Sequence, residues 1–124
     1  MGEYQQLKDI QVYVLARKLA DRVWNQVIVW EYFEKRTVGQ QLVRSVDSIS
    51  ANIAESYGRH HVRDVTMFLY YARGSLYESQ DWISKAVQRD LLSKEVGRDF
   101  LDTIQLLAPK LNAYISAKRQ RRAT

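Results

Sequence analysis

Ser48, Asn52, Glu55 and Arg59 recur every three or four residues, so on a helix they share one face. A hydroxyl, an amide, a carboxylate and a guanidinium so placed are the raw material of acid–base or nucleophilic chemistry. Ser75 and Glu78 add a second hydroxyl and carboxylate from a later segment. The spacing argues against that use. Glu55 and Arg59 stand four apart, as in an ordinary helical ion pair, and no base stands in an obvious relation to either serine. The expectation for Ser48, Asn52, Glu55, Ser75 and Glu78 is therefore a structural polar network, within a subunit or between subunits. No catalytic residue is assigned.

Metal chemistry fares no better. His60 and His61 are adjacent, so on a helix their side chains diverge by about 100 degrees and could hardly chelate one ion. A polar turn that helps cap the following helix is the expected role. A di-iron bundle needs Glu-x-x-His pairs on two helices, and the sequence has none. There is no glycine-rich phosphate loop. With no cysteine, neither a disulfide nor a thiolate site can form, and a reducing cytoplasm is the default compartment. No metal or cofactor is expected, and the chain is read as not an enzyme.

Charge is more informative. The net charge is +5 over 124 residues, and Lys110, Lys118, Arg119, Arg121 and Arg122 supply five positive charges in the last fifteen residues, with no acid among them. The other 14 basic and 14 acidic residues cancel, so the whole excess sits at the C-terminal end. That points to an anionic partner, against the plain alternative of a solvated tail. No apolar run reaches the roughly 18 residues of a spanning helix, and the N-terminus lacks a signal pattern. Met1-Gly2 is a poor myristoylation start, because Gln6 occupies the place where Ser or Thr is wanted.

These residues must be positioned by helices. Apolar residues recur at spacings of three and four in four segments, predicted at about 7–29, 37–57, 62–89 and 94–117, with no strand-like alternation. The core stripes are led by Val12, Leu19 and Val23, then Leu42, Ile49, Ile53 and Tyr57, then Leu69, Leu76 and Ile83, then Phe100, Ile104 and Leu111. Arg17 and Asp21 are spaced to pair on the solvent side of the first segment.

Thr37 and Ser93 are expected to cap the second and fourth helices, and Gly58 to end the second in a left-handed conformation. Gly74 costs about 1 kcal/mol in mid-helix, tolerable if Ala51 or Ala54 brings a neighbouring helix close. Pro109 should bend the fourth helix. Trp30, Tyr32 and Phe33 are expected to plug one end of the bundle, or else to form a stacking platform for bases. Ala20, Trp24 and Ile28 make a second apolar line beside the first core stripe, and Tyr70, Tyr71, Tyr77 and Trp82 widen the third helix in the same way. One bundle face does not need that width; an interface between copies does.

The run Ser48-Ile49-Ser50-Ala51-Asn52-Ile53-Ala54-Glu55, followed by Gly58-Arg59, resembles the family of four-helix bundle proteins of 23S ribosomal RNA intervening sequences. The match extends through Gln41-Leu42, Arg44, Phe68-Leu69, Ala72, Gly74-Ser75 and Glu78. The chain departs from the pattern at Ser56, His61 and Val65, where the family usually has glycine, serine and phenylalanine.

The resemblance implies an all-α, antiparallel up-down four-helix bundle that assembles into a homopentameric ring. Related proteins act beside the reverse transcriptases of diversity-generating retroelements. The domain reading is a bundle over 1–117 and a basic, disordered tail over 118–124. The functional reading is a non-enzymatic homo-oligomer that binds nucleic acid, RNA above DNA, through Arg59, Arg63, Lys110, Lys118, Arg119, Arg121 and Arg122. The alternative is a protein scaffold or accessory subunit for a reverse transcriptase. No membrane partner is expected.

Overall fold

Among residues 5–120, which the computed structural model describes, the chain forms four long helices and no strand. α1 spans Gln11–Val27, α2 Gln40–Tyr57, α3 Val62–Gln88 and α4 Lys94–Gln120. Each of α1 and α3 packs on both α2 and α4, so the helices stand at the corners of a square with α1 diagonal to α3. Short connections leave successive helices no choice but to run antiparallel.

The periodic stripes meet in the centre. Ala16, Leu19 and Val23 of α1, Leu42, Val46, Ile49 and Ile53 of α2, Leu69, Ala72, Leu76 and Ile83 of α3, and Leu107 and Leu111 of α4 are fully buried. Each large member contributes about 1.5–3 kcal/mol by leaving water. Ser79 interrupts the α3 stripe yet is also fully buried. Its hydroxyl donates to the Ser75 carbonyl at 2.7 Å, as Ser45 and Ser56 donate to Leu42 and Ile53, so these small polar groups enter the core already satisfied.

The helix ends differ from expectation in several places. Thr37 is no cap: helical turns at Tyr32–Glu34 and a π-helical turn at Lys35–Gly39 lead into α2, and the Thr37 hydroxyl donates to the Phe33 carbonyl at 2.7 Å. The cap position falls at Glu31, where the backbone is extended. Gly58 ends α2 with φ −81°, not in the left-handed region. That conformation appears instead at Asp90, φ 60°, where α3 closes in a Schellman motif: the Leu91 N–H donates to the Ala86 carbonyl and the Asp90 N–H to that of Val87. Ser93 does cap α4, its hydroxyl accepting from the Val96 N–H at 3.1 Å.

Other expectations fail on packing. Gly74 is not a close-approach point, since a Cβ there would meet nothing within 4 Å. The close approaches are at Gly39, where a Cβ would stand 2.7 Å from Val27 Cγ1, and at Gly97, where Val87 fills the space. Tyr57 points to solvent at the end of α2, and Arg17 donates to the Tyr13 hydroxyl at 2.8 Å instead of pairing with Asp21. Trp30 packs against the core, but Tyr32 and Phe33 are more than 70% exposed, so the end plug is Trp30 alone. Pro109 lies on an exposed position of α4, and the helix continues through it.

Candidate nucleic-acid interface

The polar face comes apart into local contacts. Ser48 donates to the Arg44 carbonyl at 2.7 Å and the Asn52 amide to the Ser48 carbonyl at 2.8 Å, both within α2. Glu55 takes Arg59, Nε to Oε2 at 2.9 Å, as the spacing predicted. On α3, Ser75 uses its carbonyl for Ser79, and Glu78 accepts from the Trp82 indole at 3.2 Å. Among the described residues, none of these bonds crosses from α2 to α3, so no network joins the two halves of the motif within one subunit. No serine here is bonded to a base that could draw off its proton.

Topology gathers the cations instead. In an up-down bundle the start of α1, the turn between α2 and α3, and the end of α4 share one end. Arg59 lies in that turn, Arg63 is exposed in the first turn of α3, and Lys118 and Arg119 lie in the last turn of α4. The final helix thus runs three residues past the expected 117, and these two cations are helical, where a disordered tail was expected. Basic residues in the last turn of a helix also complement its dipole. Arg121 and Arg122 lie outside the described residues. Lys110 is not part of the cluster; it is half-buried on α4, eight residues and about 12 Å below Lys118 along the axis.

Three contributors are not evident from sequence periodicity alone. Lys8, exposed in the short helical turn Leu7–Asp9 that precedes α1, joins the same end. Phe68 carries the Arg59 guanidinium 4.6 Å above its ring, and Tyr114 carries the Lys118 ammonium at 5.1 Å. The four-residue spacing of Tyr114 and Lys118 is a signal that could have found that pair; the contact across the α2–α3 turn has none. Carboxylates are present too. Asp9, Glu55 and Asp64 partly offset Lys8, Arg59, Arg63, Lys118 and Arg119, leaving a surface that is positive but mixed.

The described residues define an all-α protein, an antiparallel four-helix bundle with a cationic end. The family model of the 23S rRNA-intervening sequence protein matches residues 8–113, and the chain belongs to that family. A solved structure described as a protein of unknown function from the S23 ribosomal protein family of Bacteroides thetaiotaomicron is similar, with a TM-score of 0.75 at 20% identity. The likeness covers 84% of this chain and 97% of that one, and it shows the fold. No curated protein matches the chain. Among the described residues, no helix is long and apolar enough to cross a membrane, and no three His, Cys, Asp or Glu side chains group as metal ligands would.

Proposed function

We propose that this protein is a non-enzymatic, homo-oligomeric nucleic-acid-binding protein, with RNA as its main ligand. The observation that carries this reading is the convergence of Lys8, Arg59, Arg63, Lys118 and Arg119 on one end of the bundle, to which Arg121 and Arg122 follow directly in sequence. One such end is a weak phosphate binder. Repeated around a ring, of five copies as the family resemblance implies, weak contacts add through local concentration. Phosphates supply most of the binding energy, so it is tolerant of sequence and steeply salt-dependent.

The test is RNA binding by the full chain over a salt series, beside a variant carrying Arg63→Glu, Lys118→Glu and Arg119→Glu. The proposal expects the variant to bind at least tenfold more weakly with a flatter salt dependence. Equal binding by the two proteins would overturn it.

A protein scaffold, such as an accessory subunit of a reverse transcriptase, is the second reading. It is favoured by Val29, Tyr32 and Phe33, exposed together at the opposite end of the bundle. Charge reversal at the basic end leaves that surface untouched, so a partner still held by the triple variant supports the scaffold over the RNA binder.

A further inference from the structure

A groove of about 560 Å³ runs between the last turns of α1 and the first turns of α2, within the size range of small-ligand sites. Val27 and Gly39 line it where the two segments approach most closely, since a Cβ on Gly39 would stand 2.7 Å from Val27 Cγ1. Trp24 and Ile28 of α1, 52% and 47% exposed, bring aromatic and aliphatic surface to it. Lys35, Gln40 and Arg44 bring two cations and an amide from the other side of the chain reversal.

Neither cation is used inside the subunit, for Lys35 and Arg44 make no ion pair among the described residues. Tyr32, Arg36, Gln40 and Arg44 follow one another at four-residue intervals, and all four are exposed. The row thus leads out of the groove onto Arg36, whose guanidinium lies 5.5 Å over the Tyr32 ring. Glu31 and Glu34 belong to the same stretch of chain but line no part of the groove. Asp21 and Asp47 lie one turn further towards the middle of the bundle, close enough for the charge of Asp21 to act on Asp47. An anion is therefore drawn to the outer part of the groove, beside Lys35 and Arg44, and repelled beyond its inner end. A planar ring joined to an anion suits this set of side chains, and a nucleotide has that composition.

We propose that the α1–α2 groove takes a nucleotide of single-stranded RNA, its base stacked on Trp24 and its phosphates held by Lys35 and Arg44. This inference rests on the RNA-binding reading and adds a second contact to it, at the end of the bundle away from Arg63, Lys118 and Arg119. Alternation of aromatic and basic side chains along a groove is how single strands are tracked without sequence preference. A base-paired strand keeps its bases stacked within the duplex, so only a single strand turns one into the groove.

Arg59 follows Arg44 by fifteen residues, or about 22 Å of helix. At about 3.4 Å per nucleotide, roughly seven nucleotides cover that distance, so one strand reaches both sites of a copy. An acidic, apolar protein segment is the competing occupant. The positive excess of the whole chain, +5, favours the polynucleotide.

The test is binding of a dodecameric oligouridylate, and of an RNA duplex of the same length, to the full chain over a salt series. Trp24→Ala removes the stacking wall, Trp24→Phe keeps a ring there, and the double variant Lys35→Gln, Arg44→Gln removes both cations. Circular dichroism and native mass verify that each variant folds and assembles as wild type does. Trp24→Ala is expected to bind the single strand at least about fivefold more weakly, with the salt dependence unchanged, because stacking releases no counterions. Trp24→Phe should recover most of that loss. The double variant should lose affinity and flatten the salt slope by about 1.4 for each copy that touches the strand. The strand should also quench wild-type tryptophan fluorescence, and the quenching should largely vanish in Trp24→Phe. Duplex binding should be the same for wild type and Trp24→Ala.

Wild-type affinity of Trp24→Ala for the single strand, or equal weakening towards strand and duplex, overturns the groove site. The basic-end reading survives either result if Arg63→Glu, Lys118→Glu, Arg119→Glu still weakens binding. A groove that serves a protein partner gives the first of these results. A changed particle mass in Trp24→Ala makes the groove a contact between copies and overturns the site as well. A wild type that binds no RNA overturns it together with the functional reading on which it rests.

Discussion

Val87 Cγ2 occupies the space that a side chain at Gly97 would need, so a side chain of α3 packs onto bare backbone of α4 at that point. Both residues lie beside the α3–α4 turn, and the close packing there holds α4 in register with α3.

Gly97→Ala is expected to destabilise the protein by about 1–2 kcal/mol. Alanine gains up to about 1 kcal/mol in helix propensity, but overpacking a tight contact costs about 1–3 kcal/mol. In a Val87→Ala background the obstruction is gone, and the same change should become neutral or stabilising. Urea unfolding of the four proteins in this cycle measures the reversal of sign.

Asp90 is the one residue other than glycine with positive φ among the described residues. An L side chain there costs about 1 kcal/mol or more, partly eased for aspartate. Asp90→Gly is expected to raise stability by about 0.5–1 kcal/mol, less any entropy the unfolded chain gains. Asp90→Ala should move it in the opposite direction. Thermal unfolding monitored by circular dichroism distinguishes the two.

Asp47 on α2 is held above the usual carboxylate range, first by burial and then by the nearby charge of Asp21 on α1. A carboxyl whose folded pKa is raised costs stability where it is ionised, and the cost disappears as pH falls through that pKa towards the unfolded value. Asp47→Asn is therefore expected to be more stable than wild type at pH 7. The difference should shrink on acidification and vanish below about pH 3.9, the ordinary aspartate value. Denaturant melts over a pH series measure it.

The core was legible in the amino-acid pattern because burial repeats with the helical period. Leu19, Ile49, Leu76 and Leu111 lie where their spacing put them. What the pattern could not show was the rotation and stagger of one helix against the next. Those decide that Gly97, not Gly74, lies at a crossing, and that Tyr57 at the end of α2 points to solvent.

The π-helical turn at Lys35–Gly39 likewise hid the true start of the second helical segment, since Thr37 has the residue type of a cap but lies inside that turn. At the basic end, Arg63, Lys118 and Arg119 follow from topology once four antiparallel helices are granted. Lys8, and Phe68 beneath Arg59, depend on contacts across chain ends and a turn, which periodicity does not encode.

The most direct test of the proposed function is the slope of log binding constant against log salt concentration for single-stranded RNA, compared between the full chain and a chain ending at Ala117. Truncation removes Lys118, Arg119, Arg121 and Arg122 from every copy. Every phosphate that is no longer neutralised flattens the slope by about 0.7. The expected result is weaker binding and a slope shallower by about 1–3 for each copy that touches the RNA. Truncated protein that binds RNA with the affinity and slope of the full chain would contradict the proposed function.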